Sequence, residues 1–117
     1  MTTTLYGIPN CNTVKKARAW LDSHGVAFVF HDYKKAGVDE TRLRDWVARL
    51  GWERVLNKSG TTFRKLPDSD KAGLDAERAV AVMLAHPSAI KRPILEGDNT
   101  LVAGFSPEAY AQAGLAG

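Results

Sequence analysis

Apolar side chains along this chain alternate between two spacings, and the spacings mark out its elements. Residues 2–8, TTTLYGI, are rich in Thr, Leu, Tyr and Ile and read as a strand closed by Gly7 and Pro9. From Asn12 to His24 the apolar positions Val14, Ala17 and Leu21 recur every three or four residues, with Lys15, Lys16 and Arg18 between them. That is the period of an amphipathic helix, and it stops at Gly25. Residues 26–33, VAFVFHDY, gather aromatic and β-branched residues in a short run and predict a buried strand. The first third therefore reads β-α-β, a parallel pair joined by a right-handed crossover.

The middle of the chain is helical. Asp39 is placed to cap a helix through Leu50, with Leu43, Trp46, Val47 and Leu50 on one face. The stretch GWERVLNKSGTTFRKL is punctuated by Gly51 and Gly60, which predicts short helical turns rather than a strand. Ala76 to Ala85 reads as a further helix, broken by Pro87. RPILEG and TLVAGF then read as two short strands around the turn signal GDN, a hairpin. Ser106, Pro107 and Glu108 open a last helix through about Ala113, with Ser as cap and Pro in the first turn. The order β-α-β, helical insert, β-β-α is that of an α/β thioredoxin-like fold with a mixed four-stranded sheet. One domain over 1–117 is expected, with the insertion at about 38–88, longer than the minimal fold requires.

Composition narrows the function classes. At 117 residues the chain suits a single domain with a real core. No apolar run approaches the ~18 residues of a membrane span, and MTTTLYG lacks the pattern of a secretion signal. The single cysteine, Cys11, allows no intrachain disulfide and agrees with a reducing compartment, so a cytoplasmic location is expected. The formal charge is +3, with Lys and Arg interleaved with acids. This describes a solvated surface that tolerates anionic ligands and gives no particular reason to expect nucleic acid. His24, His31 and His86 show no ligand spacing, so no metal site is expected. No repeat predicts oligomerisation, and a monomer is the default.

Cys11 falls between the first strand and the first helix. There, with the helix starting at Asn12 or Thr13, unpaired backbone N–H groups and the positive end of the helix dipole favour a thiolate over a thiol, and Lys15 adds positive charge on the same face. Gly7 and Pro9 form a turn that can leave the sulfur facing solvent rather than packed as an inert core residue. A phosphatase-type loop needs Arg at position 17, where Ala17 stands; a dithiol motif needs Cys at position 14, where Val14 stands. The remaining chemistry is nucleophilic attack by one thiolate, with a second thiol supplied from outside.

YGIPNCNTVKKARAWL together with IKRPI and VAGF resembles the arsenate-reductase-like (ArsC/Spx) family, and most closely its YffB-type members, over essentially the whole chain. The resemblance implies a thioredoxin-like fold carrying a long helical insert. It makes Cys11 the nucleophile, and Arg64 in TTFRKL and Arg92 in KRPI the residues that hold an anionic substrate beside it. It also makes Pro93 the cis-proline opposite the cysteine. Guanidinium groups suit these roles, since their forked donors match oxyanions and carboxylates. The chain departs from the plasmid-type arsenate reductases after the last strand, where a further arginine is replaced by Gly104 or its neighbours. Arsenate would lose one of three cationic contacts, each worth about 1.5–3 kcal/mol, so glutathione or a glutathione mixed disulfide fits better.

Two functions are implied by the resemblance. In the first, the protein is a glutathione-dependent thiol reductase: Cys11 attacks a small or protein thiol adduct or an oxyanion, and glutathione as co-substrate resolves the intermediate. In the second, it is a non-enzymatic Spx-like regulator that contacts RNA polymerase. Spx-type regulators usually carry a C-x-x-C switch, which Val14 denies this chain.

Overall fold

Where the chain turns, and what its caps can bond, sets the element boundaries. The computed structural model describes residues 3–97 and 100–113. These form two compact units, one made of 3–36 with 92–97 and 100–113 and the other of 37–91.

The first unit holds a four-stranded mixed sheet. Strand β1, Thr4–Gly7, runs parallel to β2, Val29–Asp32, with Leu5 opposite Phe30 and Gly7 opposite Asp32. On its other side β1 runs antiparallel to β3, Ile94–Glu96, with Tyr6 opposite Ile94. Strand β4, Leu101–Ala103, completes the hairpin, and the Gly97 N–H donates to the Thr100 carbonyl at 2.9 Å. The strand order is β2-β1-β3-β4. Two of the residues expected to form the turn, Asp98 and Asn99, lie outside the described residues.

Helix α1, Asn12–Ser23, buries Val14, Ala17 and Leu21, the three positions its period singled out. They pack with Leu5, Leu95 and Tyr110 into one core, flanked by Trp20, Phe28, Phe30, Val102 and Phe105. Each fully buried Leu there contributes roughly 1.5–3 kcal/mol of transfer free energy. The helix ends where expected: the Val26 N–H reaches back to the Leu21 carbonyl at 2.9 Å, across Gly25, and satisfies an orphan acceptor. Helix α8, Pro107–Gln112, is capped by Ser106, whose hydroxyl accepts from the Ala109 N–H at 3.0 Å. Tyr110 stands edge-on to Trp20 and Phe105, at ring separations of 5.5 and 4.8 Å.

The expected buried strand over 26–33 is shorter and more exposed than its composition implied. It spans only Val29–Asp32, and Val29 is 54% exposed. The reason is positional: β2 is the edge of the sheet and pairs only with β1, so its aromatic character reflects one covered face rather than two. Part of the cover for Phe30 is the Arg18 guanidinium, 4.6 Å from the ring centre. Tyr33 does not continue the strand but opens a single helical turn, α2, Tyr33–Ala36.

The second unit contains α3, Glu40–Leu50, and α7, Ala76–Ala85, with three single turns between them: α4, Trp52–Val55; α5, Thr61–Arg64; and α6, Asp68–Lys71. The Asp39 carboxylate caps α3 by accepting from the Arg42 N–H at 2.9 Å, and Asp75 caps α7 through Arg78 in the same way. Leu43, Trp46 and Val47 are buried along α3, and Ala79, Val80, Val82 and Met83 along α7. Leu50, expected on the same face, is half-buried at the helix end. On the outer side Arg44 donates to both Glu40 and Glu77, at 2.9 and 2.8 Å. The segments leaving α4 and α7 meet in one antiparallel bridge, Leu56 with Ile90, rather than in a strand pair. Among the described residues no helix is long and apolar enough to cross a membrane.

Candidate active site

The register of the sheet brings four separate chain segments to one end of the first unit. Strands β1 and β2 are parallel and end together at Gly7 and Asp32. The loop into Cys11 and the turn at Tyr33 therefore start from the same side. Strand β3 runs the other way, so the residues before it, Arg92 and Pro93, arrive at that end too. Strand β4 leaves there at Gly104, whose N–H donates to the Pro93 carbonyl at 2.8 Å. In sheets of this kind the carboxyl ends of the parallel strands are where ligands are met.

Two glycines make this arrangement possible. A Cβ on Gly7 would lie 2.9 Å from a Val14 methyl, so only glycine lets α1 settle against the end of β1 and bring Cys11 close. Gly104 is buried with φ +82, a conformation that side chains strain to adopt. The position where the family resemblance pointed to a missing arginine is thus a backbone clamp on Pro93.

Cys11 is the N-cap of α1, with φ −124 and ψ 125, and its carbonyl accepts from the Lys15 N–H at 2.9 Å. The residue is half-buried, packed against the core at its base, and its side chain caps no backbone N–H. Asn12, the first helical residue, and Lys15 are both exposed. Arg92 is half-buried, Pro93 is buried, and the bond between them is cis, as the resemblance implied.

Arg64 belongs to the second unit. It is exposed at the end of α5, and its carbonyl accepts from the Lys71 ammonium at 2.7 Å. The histidines serve other ends: His24 stacks on Trp20 at 3.8 Å, His31 lies tilted against Tyr6, and His86 ends α7. Among the described residues no three His, Cys, Asp or Glu side chains gather as a metal site would require.

One member of this cluster escaped the sequence reading. Tyr33 is wholly buried at the end of β2. Burial pushes its hydroxyl far above the usual phenol range, Arg92 partly offsets this, and Cys11 and Asp32 raise it further. Its phenol is therefore neutral, and it lies within electrostatic reach of both the sulfur and the guanidinium. Asp32 fixes the turn that points it inward, its Oδ1 accepting from the Lys34 and Lys35 N–H groups at 3.0 and 3.3 Å. Its place directly after the second parallel strand was the available signal, but the run VAFVFHDY absorbed it into the strand.

Comparison with known proteins agrees with the geometry. Residues 6–113 match the model of the ArsC family. The solved YffB protein is 56% identical, with a TM-score of 0.93 over 96% of this chain and 98% of its own. A solved arsenate reductase (ArsC) related protein from Brucella melitensis is 50% identical, with a TM-score of 0.75 over 96% of this chain and 93% of its own. The global transcriptional regulator Spx of Streptococcus mutans is 28% identical over 90% of this chain and 77% of its own. The mixed sheet that places Cys11 at its end is thus that of a thioredoxin-like protein, and the chain belongs to the ArsC family.

Proposed function

We propose that this protein is a cytoplasmic, glutathione-dependent thiol–disulfide oxidoreductase working with one nucleophilic cysteine. The observation that carries the reading is the sole cysteine standing at a helix N-cap, at the sheet end where Arg92 also arrives. In the first step the Cys11 thiolate attacks the glutathione sulfur of a mixed disulfide. A Cys11–glutathione disulfide forms, the original S–S bond breaks, and the substrate leaves as a thiolate that takes a proton from water. In the second step a reduced glutathione thiolate attacks the glutathionyl sulfur on Cys11. Oxidised glutathione forms and the Cys11 thiolate is released, so the two electrons that reduce the substrate come from glutathione.

Arg92 is assigned to hold a glutathione carboxylate, for which a guanidinium offers paired donors. Arg64 keeps, within this proposal, the anion-holding role that the family resemblance gives it. Asn12 and Lys15 favour the thiolate from the helix start, and Pro93 lies against the incoming glutathione backbone. The test is mass spectrometry after treatment with oxidised glutathione. A single glutathione adduct on Cys11, removed by reduced glutathione and absent in Cys11→Ser, is expected. No adduct, or one that reduced glutathione does not release, overturns the reading.

The likeness to Spx supports a second reading, a regulator that contacts RNA polymerase without catalysis. Binding of purified RNA polymerase that is unchanged in Cys11→Ser would favour it; no binding would remove it.

A further inference from the structure

Charge in the sheet unit is sorted along the strand axis. At the end where Cys11 stands, the charged residues are Lys15 and Lys16 in the opening turns of α1, Lys34 and Lys35 on α2, and Arg92 before β3, against Asp32 and Glu108. At the opposite end come the acids Asp22, in the last turn of α1, and Glu96, which closes β3, with no lysine or arginine among the described residues there. A net charge of +3 does not demand this segregation; the fold produces it.

The cations are also left without counter-ions. Lys15, Lys16, Lys34 and Lys35 are exposed, and among the described residues none of them forms an ion pair, whereas Arg44 and Arg49 in the helical unit each meet a carboxylate. Lys34 and Lys35 sit on a fixed turn, since Asp32 Oδ1 accepts from both their N–H groups and Tyr33 roots the turn in the interior. That turn follows β2, the direct neighbour of the strand that leads into Cys11, and Lys15 is tied to Cys11 through the backbone. Like charges gathered without counter-ions repel one another and favour the approach of an anion. The exchange proposed for Cys11 gives no task to Lys16, Lys34 or Lys35.

We propose that Lys16, Lys34 and Lys35, with Lys15 and Arg92, form a docking rim for an acidic polypeptide, so that the mixed disulfides reaching Cys11 are those of cysteines flanked by Asp or Glu. The proposal rests on the reading of Cys11 as the attacking thiolate. Rim charges act chiefly on the encounter: they speed the association of an oppositely charged partner and slow a like-charged one, with a strong dependence on salt.

The test is the reaction of Cys11 with three peptides of equal length, each carrying one cysteine as its mixed disulfide with thionitrobenzoate and flanked by Glu, Gln or Lys. The Cys11 thiolate attacks the peptide sulfur, a Cys11–peptide disulfide forms, the original S–S bond breaks, and the coloured thionitrobenzoate thiolate leaves. Dividing each rate by that of the same peptide with mercaptoethanol, a neutral thiol, removes the intrinsic reactivity of the disulfide. All three peptides meet the same thiolate, so the ratios read the charge around it and not its ionisation. At low salt the acidic peptide should react about tenfold or more faster than the basic one, with the neutral one between them. At about 1 M salt, where the screening length falls to ~3 Å, the rates should converge. The double variant Lys34→Gln/Lys35→Gln should lower the acidic-to-basic ratio about threefold or more.

Equal rates at low salt in the wild-type protein overturn the proposal, as does a preference that salt leaves intact or a ratio unchanged in the double variant. Reaction with none of the peptides overturns it together with the thiolate reading. No glutathione is used, so a missing glutathione adduct with an intact peptide preference counts against the glutathione-dependent cycle and not against the acidic partner.

Discussion

The two units of this chain reach order by different routes. In the helical unit the caps are local and only a few long-range ties join them: Asp39 caps the helix it begins, Asp75 the next, and Arg44 meets Glu40 one turn back as well as the distant Glu77. In the sheet unit the informative groups come from four distant segments, and only strand register unites Cys11, Tyr33, Arg92 and Gly104. Local order needs only propensity and caps, whereas a site assembled from strand ends needs the sheet to close first. Substitutions of equal size should therefore alter the helical unit mainly in stability and the sheet unit mainly in chemistry.

Trp46→Ala tests that division with the largest effect. Trp46 is wholly buried in α3, and its truncation should cost about 3–5 kcal/mol in urea unfolding. The folded fraction should keep the wild-type rate of Cys11 alkylation. A slowed rate in folded protein would break the division.

Next in size are the two arginines. Arg92→Gln should raise the KM for glutathione about tenfold or more, the loss of a charge-assisted bond of about 1.5–3 kcal/mol, with little change in urea midpoint. Arg64→Gln is the more pointed variant, because Arg64 is exposed and sits in the helical unit. A comparable rise in KM there would show that the chemistry draws on both units; an unchanged KM would confine it to the sheet end.

Cap removal is smaller. Asp39→Ala removes the carboxylate that accepts from the Arg42 N–H and should cost about 1 kcal/mol, read as a lowered urea midpoint with unchanged alkylation.

Alkaline pH should act chiefly through the sheet unit. Tyr33 and Tyr110 are both raised by burial above the ordinary phenol value of 10.0, Tyr33 with the added influences of its neighbours. A raised group binds its proton more tightly folded than unfolded. Its contribution is therefore complete below pH 10 and is lost as pH climbs through the folded value. The urea midpoint should decline above pH 10, and Tyr110→Phe should flatten that decline. The Tyr110 hydroxyl is buried with no hydrogen-bond partner among the described residues, so its removal should also stabilise the protein slightly at neutral pH. A steeper decline in Tyr110→Phe would show that the alkaline loss arises elsewhere.

Much of this molecule is dictated by residue patterns. The helix period places Val14, Ala17 and Leu21 inside, Asp39 and Ser106 each cap the helix that begins at the next residue, and Gly25 closes the helix behind it. These are short-range effects of side-chain spacing and backbone hydrogen bonding. The motif around Cys11 likewise puts the thiol at a helix start, since a strand, a Gly/Pro turn and a helix in succession leave nowhere else for it. The relations that the tertiary structure alone decided are longer in range. Composition could not tell that VAFVFHDY is an edge strand with one covered face, because the number of strands beside it is a property of the sheet. Nor could it show that Tyr33 is buried at the sheet end where Cys11 and Arg92 arrive, or that Gly104 clamps Pro93. Those relations depend on which strand ends meet, and that is fixed by pairing between segments that lie far apart along the chain.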